Sequence, residues 1–178
     1  ESRRLSFRGP FNLEALRRAL SQLVEAHDAL RTTFGPAGDV QRAGPEVALE
    51  IPVDDLTGLM PADRAARLDT LAAAEAARAF ALVRGPLLRA RIVRMDSEEH
   101  ALLLTIHHLV CDGHSWGILL RELSELYAAA AGGKRVRIEL PLQLGDYARA
   151  RAAALASPAR RAAESYWSAQ FADGAPVV

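Results

Sequence analysis

The sequence predicts an α/β sandwich, a central mixed sheet packed by helices. Ala101 to Ile106 is apolar on both faces, as a central strand covered on two sides must be. Leu87 to Met95 alternates instead, with Leu88, Ala90 and Ile92 on one face and Arg89 and Arg91 on the other, so it reads as a half-exposed strand. Segments with helical apolar spacing precede and follow these strands. Strands interleaved with helices give the sandwich.

Each element has its own local reason. Asn12 is placed to cap a helix in which Leu13, Leu16, Leu20, Leu23, Val24 and His27 keep helical spacing, with Glu14 favourable in the first turn. Leu30 to Phe34, Val40 to Arg42 and Val47 to Pro52 read as short strands, Gly35-Pro36 and Gly38-Asp39 breaking the first two apart. Pro61 suits the first turn of an alanine-rich helix running to about Phe80. Gly85-Pro86 closes the following loop. Trp116, Leu119, Leu120, Leu123, Leu126 and Tyr127 form the core face of a helix from Ser115 to Ala131, which Gly132-Gly133 stops. Two further helices are expected near Asp146 to Leu155 and Pro158 to Phe171. No internal repeat and no low-complexity linker interrupts this order.

Composition sets the outer bounds. At 178 residues and 50% hydrophobic content the chain can build one sizeable core. The 22 basic and 22 acidic residues cancel, leaving no net field to draw it to nucleic acid or to an anionic membrane. A lone cysteine allows no internal disulfide and suits a reducing cytoplasm. The opening ESRRLSFRGP has no signal-peptide character, and no apolar run reaches the ~20 residues of a membrane span.

The chemistry concentrates in His107-His108-Leu109-Val110-Cys111-Asp112-Gly113, which has the form HHxxxDG at a strand-to-helix corner. Such a corner brings a titratable side chain to a cleft while the core holds its backbone. Adjacent residues on a strand point to opposite faces, so His107 falls with Leu103 and Thr105 and His108 with Leu104 and Ile106, and only one imidazole faces a given cleft. That geometry also argues against a shared metal ion, as does the lack of HExxH or paired CxxC spacing. Taken alone, either histidine reads equally well as a satisfied core residue, and Asp-Gly is a common turn pair.

The stretch IHHLVCDGHSWGILLRELSELY resembles the signature of the condensation domains of nonribosomal peptide synthetases, in the chloramphenicol acetyltransferase-like superfamily. AHDALRTTF (Ala26 to Phe34) is similar to the family's RHExLRTxF segment. GPLLRARIVR, LPLQLGDYARAR and YWSAQFADGAP resemble further family segments in the family's order. The resemblance implies that residues 1–178 are the N-terminal lobe of a two-lobed domain, without the opening segment and the C-terminal lobe, and inactive alone. It implies peptide-bond formation between a carrier-bound thioester donor and an aminoacyl acceptor. The substrates then ride on the phosphopantetheine of upstream and downstream carrier domains beside an adenylation domain, and this lobe binds neither cofactor nor metal. An epimerisation domain, a non-catalytic recruitment or docking domain and a free-standing acyltransferase of the same superfamily are the alternatives.

By the same resemblance His108 is the catalytic candidate, as a base or as a positioner. His107 is structural, and Asp112 is structural through a buried pair with Arg31. Gly113 admits an unusual backbone conformation or a close substrate approach, and Ser115 and Trp116 support the site. The sequence departs from the family at Ala26, where arginine is usual, and at His114, where tryptophan is usual; His114 is expected to be solvated. Cys111 is expected to be a small core residue rather than a nucleophile.

Overall fold

The computed structural model describes residues 1–45, 49–134, 138, 142–155, 157–172 and 174. Residues 1–141 form one compact unit and residues 142–178 a second. The first unit is built on a four-stranded sheet of order β1-β6-β5-β4, comprising β1 (Ser2–Arg8), β4 (Val53–Asp55), β5 (Leu88–Arg94) and β6 (Glu99–Ile106). The strands β2 (Thr32–Phe34) and β3 (Gln41–Ala43) pair separately. Both neighbours of β6 run antiparallel to it, and β4 runs parallel to β5, so the sheet is mixed as expected.

Strand β6 is central because its sequence leaves no polar face: every residue from Ala101 to Ile106 is buried. Strand β5 alternates as expected. Leu88, Ala90 and Ile92 enter the core, while Arg91 binds Asp54 at 2.6 Å and Glu75 at 2.8 Å on the opposite face. Arg89 lies 3.8 Å above the Phe80 ring and donates to the carbonyls of Glu75 and Arg78. It thereby binds the C-terminal carbonyls of α2 (Pro61–Ala77).

On the core face of the sheet lie α1 (Leu13–Ala26) and α3 (Gly113–Ala131). Asn12 caps α1 as its position suggests, its Oδ1 accepting from Ala15 N–H at 2.9 Å. Leu16, Leu20 and Leu23 are fully buried against Leu102, Leu104 and Ile106, with Trp116, Leu119, Leu123 and Leu126 completing the cluster from α3. Leu68 and Leu71 of α2 cover the other face of the sheet through Leu103 of β6 and Val93 of β5. The second unit contains α4 (Leu144–Leu155) and α5 (Pro158–Gln170), close to their expected limits.

Three expectations need correction. The opening segment, assigned no element, forms β1: its arginines suit the solvent side of an edge strand, and Leu5 and Phe7 pack on the core. Helix α1 stops at Ala26, and a short 3-10 turn over Asp28–Arg31 shortens the next strand to Thr32–Phe34. The expected strand from Val47 to Pro52 lies partly outside the described residues; the strand in this region is Val53–Asp55. Among the described residues, no helix is long and apolar enough to cross a membrane.

Candidate active site

Strand β6 ends at Ile106, so both histidines sit in the turn that follows it rather than on the strand. Strand alternation therefore does not separate them. Turn chemistry does. His107 turns its Nδ1 back to accept the backbone N–H of Leu109 at 3.1 Å, and its ring meets Phe80 edge-on at 5.6 Å. Its own N–H donates to Leu87 O, which continues the β5–β6 ladder by one step. Burial pushes the His107 pKa below its ordinary value, and the neighbouring His108 acts in the same direction. The neutral ring is the form that can accept from Leu109.

His108 is placed differently. Its side chain is 69% exposed, and Nδ1 makes a 2.8 Å hydrogen bond with the carbonyl oxygen of Cys111. A carbonyl only accepts, so Nδ1 carries the proton and Nε2 keeps its lone pair when the ring is neutral. The loop thus orients a basic nitrogen away from its own backbone. Cys111 is buried at 3% exposure, and burial raises its thiol to about 11, so it is a core residue rather than a thiolate nucleophile.

Asp112 caps α3. Its Oδ1 accepts from Ser115 N–H at 2.8 Å and from Ser115 Oγ at 2.7 Å, and these bonds hold its carboxyl below the usual carboxylate range. The expected buried pair with Arg31 does not form. Arg31 is bound to Asp28 at 2.5 Å and donates to the carbonyls of Val24, Glu25 and Gly44, whereas Asp112 is exposed. A partner three residues away in a tight turn is reached at little entropic cost, and it takes the guanidinium. At Gly113 no unusual backbone conformation calls for glycine: its φ is not positive, and a Cβ there would meet nothing of this chain within 4 Å. His114 is exposed, as expected.

Two acidic residues that the motif does not include reach this region. Glu1 Oε2 accepts from Trp116 Nε1 at 2.6 Å, and its Oε1 lies 3.4 Å from His108 Nδ1. Glu122, on the buried face of α3, accepts from His27 Nε2 at 2.6 Å. Neither was legible, since the partners lie 115 and 95 residues apart in sequence. On the far side of the His107 turn, Phe80 lines an open pocket of about 380 Å³ with Glu75, Arg78, Leu88 and Arg89.

Comparison with known proteins shows the family and the fold. The family model for the condensation domain matches residues 1–178. The chain is 40% identical over 177 residues to malpibaldin synthetase of Mortierella alpina, an alignment covering 97% of this chain and 3% of that protein. It is 36% identical over 172 residues to chondramide synthase of Chondromyces crocatus, covering 95% of this chain and 4% of that protein. Among solved structures it superposes on the starter condensation domain of the rhizomide synthetase with a TM-score of 0.87, at 23% identity, over 98% of this chain and 42% of that one. At that identity the likeness is one of fold.

Proposed function

The chain belongs to the condensation-domain family, and from that premise we propose that it serves amide-bond formation between a carrier-bound acyl thioester and the amine of a second carrier-bound group. The single observation that carries the proposal is the orientation of His108: an exposed imidazole whose Nδ1–H is committed to Cys111 O, leaving Nε2 free to accept. The substrates are proposed to arrive on the phosphopantetheine arms of partner carrier domains, with this chain binding no cofactor of its own.

The chemistry asked of the site is modest. An α-amine has a pKa of about 8, so a usable fraction is neutral near pH 7, and a thioester is already activated. The amine nitrogen attacks the thioester carbonyl, the C–N bond forms, and the nitrogen becomes acidic in the tetrahedral intermediate. His108 Nε2 accepts that proton. The C–S bond then breaks, and the proton passes to the departing thiolate. A positioned base contributes about 10² to 10⁴ in rate. Asp112 and Ser115 fix the start of α3 and with it the loop that carries the imidazole, and His107 closes that loop through Leu109.

The test is product identity in a complete condensation domain bearing this sequence, supplied with loaded donor and acceptor carriers. A new amide bond with donor stereochemistry retained supports the proposal. Inversion of the donor α-carbon without amide formation assigns the site to epimerisation instead. Carrier binding without either product assigns a recruiting module.

A further inference from the structure

A carboxylate stands beside the His108 nitrogen that donates to the Cys111 carbonyl. Pairing of β1 with β6 brings Glu1 next to Ile106, whose N–H donates to Glu1 O at 2.9 Å, immediately before the chain turns into the histidine loop. The Glu1 side chain is 28% exposed and held from three directions. Trp116 Nε1, on a side chain buried in the first turn of α3, donates to Oε2 at 2.6 Å. Arg3 Nη2 lies 3.5 Å from the same oxygen, and its guanidinium sits 5.0 Å from the Trp116 ring centroid. The other oxygen, Oε1, faces His108 Nδ1 at 3.4 Å.

We infer that Glu1 is a positioning residue for His108, aimed by Trp116 and Arg3. The inference rests on the reading of His108 as the group that accepts the amine proton. The Cys111 carbonyl selects the tautomer with a free Nε2, and the Glu1 carboxylate, 3.4 Å from the same nitrogen, acts on the ring through its charge. A carboxylate adds what a carbonyl lacks, a full negative charge that compensates the imidazolium once Nε2 has taken the proton. The proton moves only from the amine to Nε2 and on to the thiolate, and Glu1 stays ionised throughout. His107, Cys111 and Asp112 share the loop, but Asp112 spends its Oδ1 on Ser115. Trp116 was marked in the sequence as support for the site; the geometry gives it an object to support.

The experiment compares Glu1→Gln, Trp116→Phe, their combination and His108→Ala in a complete condensation domain, measuring kcat, KM, the pH–rate profile and melting temperature. Glu1→Gln keeps an oxygen for the indole N–H and removes only the charge. It is expected to lower kcat by about 10- to 100-fold, as the imidazolium loses the negative charge beside it. KM and melting temperature stay unchanged. Trp116→Phe should lower kcat in the same way, and the double variant should lose little more than either single one. A Glu1→Gln enzyme with wild-type kcat overturns the inference, as does a loss confined to melting temperature. A fully active His108→Ala enzyme overturns the underlying reading instead, so the two failures are distinct.

Discussion

His27 Nε2 and Glu122 Oε2 meet at 2.6 Å between the end of α1 and the middle of α3, with side chains only 14% and 11% exposed. The contact joins the LRTTF segment to the helix that begins at the histidine loop. It is a largely buried polar tie between two helices that meet mainly through leucines, and Arg18 of α1 also donates to the Ala130 carbonyl of α3 at 3.4 Å. Buried polar contacts of this kind cost most when only one partner is removed.

His27→Ala is therefore expected to destabilise the first unit by about 3 kcal/mol, because it orphans a buried carboxylate. Glu122→Gln keeps an acceptor and should cost about 1 kcal/mol. Replacing both residues with leucine should recover part of the His27→Ala loss. Denaturant unfolding of the three variants checks the order.

His107→Ala should act on stability. It removes the acceptor of the Leu109 N–H and the edge contact with Phe80, so about 1–3 kcal/mol is expected from an unsatisfied amide and lost packing. His108→Ala removes an exposed side chain and should leave the melting temperature nearly unchanged. Thermal unfolding of the two variants, measured together, distinguishes the roles.

Acid should weaken the fold through its buried imidazoles. His100 and His107 both lie below their ordinary value of 6.5, chiefly because burial disfavours the charged ring. The unfolded chain therefore takes up protons first. Stability is complete above about pH 6.5 and declines as the pH falls from there towards the lower folded values. His100 stacks on Phe11 at 4.2 Å, so His100→Phe can keep the aromatic contact while removing the proton site. Melting temperatures followed from about pH 8 to 5 should decline less steeply in this variant than in the wild type.

Asp112 should behave as a helix cap. Asn caps about as well as Asp, so Asp112→Asn should be tolerated for stability, whereas Asp112→Ala should lower the melting temperature. The ionised cap contributes above its ordinary value of 3.8, and that contribution is lost as the pH falls through its lower folded value. Arg31→Ala should also destabilise, by stranding the carbonyls of Val24, Glu25 and Gly44, and its effect should add to that of Asp112→Ala.

Much of the sheet and both packed helices were legible because their apolar patterns are dense. Ala101 to Ile106 has no polar residue to orient but Thr105, and the leucines of α1 and α3 keep helical spacing without interruption. Strand β1 was hidden by Arg3, Arg4 and Arg8, which suit an edge and obscure the alternation of Leu5 and Phe7. The two histidines are set apart by a turn rather than by the two faces of a strand, which strand periodicity could not anticipate. Charge partners were the least legible. A sequence holds the nearby Asp28 and the distant Asp112 alike as candidates for Arg31, and only the turn over Asp28–Arg31 decides between them. Glu1 carried no signal, because its role depends on the register that sets β1 beside β6.

The central claim is that His108 accepts a proton during amide formation, and the most direct test is a single-turnover condensation rate with preloaded carriers. His108→Ala and His108→Gln in a complete condensation domain should both slow amide formation by about 10² to 10⁴ while carrier binding and melting temperature hold. Wild-type single-turnover rates in both variants would contradict the account.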